Sequence, residues 1–105
     1  MSLEPSQKPL AFQEAARCLA ELGHPHRLQI FNLLVKAGET GHSVGEIQDQ
    51  VGIPKSTLSH HLAQLIGIGL VMQTREGRSL RCRIEVERAR LIQQFINACC
   101  EGLSA

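Results

Sequence analysis

Tryptophan and tyrosine are absent from this 105-residue chain, and phenylalanine occurs only three times. Base stacking along single strands and aromatic cages for cations both need more rings than this. No apolar run approaches the ~18 residues of a membrane span. Met1 to Pro9 has no apolar segment after its charge, so it does not read as a signal peptide, and a cytoplasmic location is expected. Four cysteines, Cys18, Cys82, Cys99 and Cys100, are too few and too scattered for a secreted disulfide framework. None forms a C-x-x-C, which argues against a zinc ribbon or finger. Catalytic patterns are missing too. Gly67-Ile68-Gly69 lacks the preceding strand that a dinucleotide loop requires, and no Cys-His-Asp set or carboxylate pair stands out. An enzyme is not expected.

What is present suits one small domain: 43% hydrophobic residues, enough for a core, with 20% charged. Residues 1–9 read as a flexible leader and 10–105 as the folded unit. The net charge of +1 conceals an asymmetry. Residues 1–54 hold four basic and six acidic side chains, whereas residues 55–90 hold seven basic (Lys55, Arg75, Arg78, Arg81, Arg83, Arg88, Arg90) against three acidic. Arginines concentrated in one third of a chain read as a patch for a polyanion, or, more blandly, as a solvated strand face.

Apolar spacing predicts a helix from about Leu10 to Leu22, stopped by Gly23, and a second from Pro25 to Gly38. Ser43-Val44-Gly45-Glu46 fits a capping box for a short helix closed by Gly52. Another helix follows, capped by Ser56 or Thr57, with Leu58, Leu62, Leu65 and Ile66 as its buried stripe and Gly67 and Gly69 at its end. Leu70 to Arg75 and Ser79 to Val86 alternate as strands around Glu76-Gly77-Arg78. A last helix from about Arg88 aligns Ile92, Phe95, Ile96, Cys99 and Leu103. The fold class is mainly α with a two-stranded β-wing.

A short helix, a tight turn at Gly52, then a helix with small polar residues at its start is a helix-turn-helix pattern. The exposed side of the second helix offers Lys55, Ser56, Thr57, Ser59, His60, His61 and Gln64 without a carboxylate. Such side chains can hydrogen-bond phosphates or base edges in a major groove. His60 and His61, as neighbours, face different ways, so one of them packs or pairs. Behind this helix the hairpin adds Arg75, Arg78, Arg81 and Arg83, positioned as a wing on phosphates. The bland alternative is an ordinary helical hairpin beside a solvated strand pair. His24 and His26 read as a helix start, with no third metal ligand near them in sequence.

From Leu22-Gly23-His24-Pro25-His26-Arg27, through Ser56-Thr57-Leu58-Ser59-His60-His61-Leu62, to Gly69-Leu70-Val71 and Arg75-Glu76-Gly77-Arg78, the chain resembles the ArsR/SmtB winged-helix repressors. The likeness covers about residues 10 to 103. It implies a winged helix-turn-helix homodimer, paired through its first and last helices. It also implies binding to an imperfect palindrome in operator DNA and release by a metal or metalloid. Two helix-turn-helix units related by a two-fold axis suit half-sites ~34–36 Å apart.

The known inducer sites of that family are not all present. Ser43 and Gly45 stand where the arsenic-responsive branch has C-x-C, and residues 88–105 hold no His and only Glu101, unlike the zinc-responsive branch. The last helix does carry Cys99-Cys100. Two soft thiolates suit a thiophilic centre and suit Mg or Ca poorly. Neighbours on a helix project ~100° apart, but a fraying C-terminus can adjust. Arsenite takes three ligands and methylarsenite two, with antimonite a further candidate inducer. Cys18 is the candidate third thiol, in this subunit or the other, whereas Cys82 reads as core. No permanent cofactor is expected. Oxidation of the pair to a disulfide or polysulfide is the alternative, and packing of Cys99 at an interface the bland one. A protein-interaction module of the same fold is the remaining reading.

Overall fold

The computed structural model describes residues 8–103. Residues 1–7 of the expected leader and residues 104–105 lie outside the described part. Helix α1 (Phe12–Leu22) and α2 (Pro25–Ala37) are followed by a 3-10 turn (Gly38–Thr40) and a two-residue strand β1 (His42–Ser43). Then come α3 (Val44–Val51), α4 (Lys55–Gly67), the strands β2 (Val71–Glu76) and β3 (Ser79–Ile84), and α5 (Val86–Cys99).

The helix-turn-helix is built by local chemistry. Ser43 Oγ accepts from Glu46 N–H at 3.1 Å while Glu46 accepts from Ser43 N–H at 2.8 Å, the reciprocal capping box expected from the sequence. The Ser43 N–H first, then the His42 ring, hold the Glu46 carboxyl below its ordinary pKa. Gly52 closes α3 in the left-handed region at φ 75°, which lets the chain turn within Ile53-Pro54. Ile53 is buried and pins the turn to the core. The far end of α4 is closed by Leu70 N–H to Leu65 O at 3.0 Å around Gly69 at φ 77°, a glycine-stopped helix end.

Ile30, Leu34, Ile47, Leu58, Leu65, Leu70 and Cys82 are the largest fully buried side chains, drawn from α2, α3, α4, β3 and the residue before β2. The hairpin turn is only Gly77-Arg78, with Gly77 at φ 62°, and pairs Glu76 with Ser79 through Val71 with Ile84. Glycine first in a two-residue turn matches the twist of the strands it joins.

The secondary structure differs from the sequence expectation in four places. The sheet has three strands, in the order β1-β3-β2, because His42 and Ser43 pair with Cys82 and Arg81. A two-residue strand carries no period, so nothing local announced it. Helix α4 is capped by Pro54 at φ −60° and ψ 150°, not by Ser56 or Thr57. Proline's fixed φ suits that position, and both hydroxyl residues fall inside the first turn. Helix α5 starts two residues earlier than expected, at Val86, directly after Glu85, whose N–H bonds Leu70 O at 2.8 Å. Leu103 lies beyond α5 and is exposed.

Candidate nucleic-acid interface and thiol pair

On α4, Leu58, His61, Leu62 and Leu65 are buried, the i, i+3, i+4, i+7 set of one helix face. Lys55, Ser56, Ser59 and His60 are exposed, and Thr57 and Gln64 are half-buried. Of the seven α4 residues expected to face a duplex, His61 does not. It is 4% exposed, and its Nδ1 accepts from Arg27 Nε–H at 3.0 Å. Arg27 is held in turn by the Glu21 carboxylate and the Glu21 carbonyl. Burial first, then the nearby His24 and Arg27, push the His61 pKa down, which keeps the ring neutral. Ile66, placed in the stripe by sequence, is 37% exposed. The buried periodicity was the available signal for His61, but its imidazole read as polar.

Because Pro54 offers no side-chain cap, the first amides of α4 have no capping partner among the described residues. Free N–H groups and a positive helix end, flanked by Lys55, Ser56 and Thr57, make a ready phosphate contact.

The wing divides its arginines into two pairs. Arg75 and Arg78 are exposed and have no side-chain hydrogen bond or ion pair among the described residues. Arg81 is tied down: Nε donates to Glu76 at 2.9 Å and Nη1 to Thr40 O at 3.1 Å. Arg83 bonds Glu39 O at 2.9 Å, Thr74 Oγ1 at 3.0 Å and Glu76 at 3.0 Å. Two guanidinium groups on one carboxylate, Arg83 foremost, hold the Glu76 carboxyl below its usual range. Arg81, expected on DNA, is thus a brace between the wing and residues 38–40. Only long-range pairing reveals this, since Thr40 and Arg81 are remote in sequence.

The four thiols also divide. Cys18 and Cys82 are buried, whereas Cys99 and Cys100 are exposed. Burial raises the pKa of both inner thiols, opposed weakly by Arg88 at Cys18 and by the Gln73 amide at Cys82. Cys99 is the last residue of α5, and Cys100 follows at φ −91° and ψ 0°, so the helix ends between the two sulfurs. Glycine at position 102, φ 96°, turns the chain away. Cys18 shares a cleft with Glu14, Arg17, Gly67–Gly69 and Arg88. Cys99 lies three turns beyond Arg88 on α5, roughly 16 Å by helical rise. Within one subunit Cys18 therefore does not complete a site with the pair, contrary to the expectation of a third ligand from the same chain.

A helix-turn-helix domain model matches residues 22–74, which span α2 to β2. The chain is 36% identical over 88 residues to the biofilm growth-associated repressor of Xylella fastidiosa, covering 83% of this chain and 75% of that protein. Among solved structures, the homodimeric winged helix-turn-helix DNA-binding domain Mb0332 of Mycobacterium bovis, described as a possible ArsR-family transcriptional regulator, superimposes with TM-score 0.68. The two are 30% identical, with 99% of this chain and 94% of that one covered. Reduced HlyU from Vibrio cholerae superimposes with TM-score 0.65 at 26% identity, over 83% of this chain and 88% of that one. These relatives are regulators, not enzymes, and among the described residues no helix is long and apolar enough to cross a membrane. With the recognition-helix geometry, the wing and these likenesses together, the chain belongs to the ArsR family of winged helix-turn-helix transcriptional regulators.

Proposed function

We propose that this protein is a cytoplasmic homodimeric repressor that leaves its operator when trivalent arsenic is captured by Cys99 and Cys100. The observation that carries the sensor reading is the division of the thiols: the two exposed ones are adjacent, and they sit where α5 loses its helical geometry. Soft donors side by side on an adjustable turn fit a thiophilic centre. With Cys18 out of reach in the same chain and Cys82 in the core, a subunit supplies two thiols. That favours methylarsenite over arsenite and antimonite, which need a third ligand from elsewhere.

Dimerisation through α1 and α5 is supported by apolar side chains left in solvent there. Phe12 is 78% exposed although its ring meets Phe95 edge-on at 5.3 Å, and Leu19, Ile96 and Leu103 are exposed as well. The dimer would set two α4 helices into successive major grooves of an imperfect palindrome, with Arg75 and Arg78 on flanking phosphates. Movement at the end of α5 would shift the interface and with it the spacing of the two α4 helices.

An anisotropy titration on the protein's own upstream DNA, with and without methylarsenite and arsenite, tests this. Cys99→Ser and Cys100→Ser should bind DNA within about twofold of the unaltered chain. They should lose the release, for which a coupling of ~1–3 kcal/mol, or roughly 5–150-fold in affinity, is typical. Release that persists in both variants rejects the metalloid reading. A second reading, thiol oxidation, is favoured by the reduced form named for the HlyU structure and by the exposure of the pair. Two thiols would yield two electrons and two protons to a peroxide or polysulfide and form a disulfide. Release by such an oxidant without any arsenical selects it. In either case a small water-soluble maleimide should label two cysteines in the folded chain and four after denaturation, because Cys18 and Cys82 are buried and their raised pKa disfavours thiolate.

A further inference from the structure

Away from the thiols, His24, His26 and His61 bring one ring nitrogen each to within 4.8 Å of one another. His24 caps α2, His26 sits in its first turn, and His61 comes from the buried face of α4. The third ligand that the sequence did not offer is supplied by the fold. We propose that these three imidazoles form a site for a borderline divalent transition-metal ion, Zn(II) above all, fastening the start of α2 to the recognition helix.

One observation points to a ligand independently of the clustering itself. His26 Nδ1 is buried and has no hydrogen-bond partner among the described residues, an arrangement that proteins rarely leave unanswered. The rings also converge on one another, with centroids 4.4 Å apart for His24 and His61, 5.3 Å for His24 and His26, and 5.8 Å for His26 and His61. Three nitrogen donors suit Zn(II), Co(II), Ni(II) or Cu(II) and reject Mg(II) and Ca(II), which want oxygen. Three protein ligands leave a fourth position for water. The neighbouring Arg27 charge is compensated by Glu21, and the positive end of α2 opposes a cation only weakly.

Occupancy has a definite structural cost. His24 Nδ1 accepts from His26 N–H at 3.1 Å, and His61 Nδ1 accepts from Arg27 at 3.0 Å. A neutral imidazole that accepts at Nδ1 carries its proton at Nε2. An ion at Nδ1 displaces those donors; an ion at Nε2 moves the ring proton to Nδ1, where it faces the same donors, with no proton lost. Either way Arg27 must release His61, keeping Glu21 as its partner. A bound ion and the Arg27–His61 bond therefore exclude each other, and the affinity should be micromolar rather than tight.

The test is a Co(II) titration of the full chain carrying Cys99→Ser and Cys100→Ser, so that it is independent of the thiol reading. One equivalent of Co(II) per chain should develop a visible ligand-field band that Zn(II) removes. In the same background His24→Gln and His26→Gln should each weaken binding at least tenfold. His61 is left unchanged because it packs in the core. Zn(II) should also shift the ring-nitrogen resonances of three histidines in the chain with its histidines intact. Absence of saturable binding at micromolar ion, binding in either glutamine variant as tight as in the parent chain, or unmoved histidine resonances would each overturn the site.

Discussion

Gly41→Ala is expected to lower stability by about 3 kcal/mol or more, on the order of 15 °C in Tm for a domain of this size. Gly41 is buried at φ 64°, where β1 meets β3, and a Cβ there collides with the carbonyl oxygen of Cys82 and with the Arg83 side chain. Two costs combine: a backbone at φ 64° and ψ −163°, a region that essentially only glycine occupies and that costs an L-residue about 1–3 kcal/mol, and overpacking against backbone that cannot swing aside, about 1–3 kcal/mol. Gly38→Ala separates them. Gly38 has nearly the same φ, 63°, but nothing within 4 Å of its Cβ position, so only the first cost applies. Thermal melts of the two variants should therefore differ clearly, with Gly41→Ala the worse. Equal losses would mean that the close approach of β1 to β3 contributes nothing.

Ser59→Glu should reduce operator affinity at least a hundredfold while leaving Tm unchanged. Ser59 stands exposed on α4, one residue from the buried Leu58. A carboxylate there meets phosphates and acceptor-rich base edges, and in a dimer it does so twice. Removing one hydrogen-bonded base interaction costs about 1–3 kcal/mol, so two copies account for that drop before repulsion is added. Arg75→Ala and Arg78→Ala form the contrasting pair. They should weaken operator and unrelated DNA alike and flatten the salt dependence by about one unit of slope for each phosphate left unneutralised. Anisotropy titrations at several salt concentrations distinguish the two behaviours. Near-normal affinity for Ser59→Glu would remove α4 from the groove.

The elements that could be read from sequence are those whose determining interactions lie within a few residues. The Ser43–Glu46 capping box, the Gly52 turn and the glycine-stopped end of α4 all formed as expected, and the hairpin formed around Gly77 with a turn one residue shorter than expected, because Glu76 pairs with Ser79. The exposure of Lys55, Ser56, Ser59 and His60 followed from the apolar period of α4. What failed depended on partners far along the chain. Local pattern leaves open which of His60 and His61 packs, and it is Arg27 from α2 that satisfies His61 Nδ1 and permits its burial. Arg81 alternates correctly for the outer face of β3, but Glu76 and the Thr40 carbonyl take up its charge.

By itself, the order of residues determined the helix-turn-helix, the hairpin behind it and the adjacent cysteines near the end, because caps, turns and helical periods are short-range physics. Tertiary structure alone decided which charges and thiols remain available. Pairing of β1 with β3 braces Arg81 while Arg75 and Arg78 stay unbonded, core packing closes over Cys18 and Cys82, and the approach of α4 to α2 gathers three histidines. Burial and charge compensation depend on what arrives from elsewhere in the chain, and no local pattern carries that information.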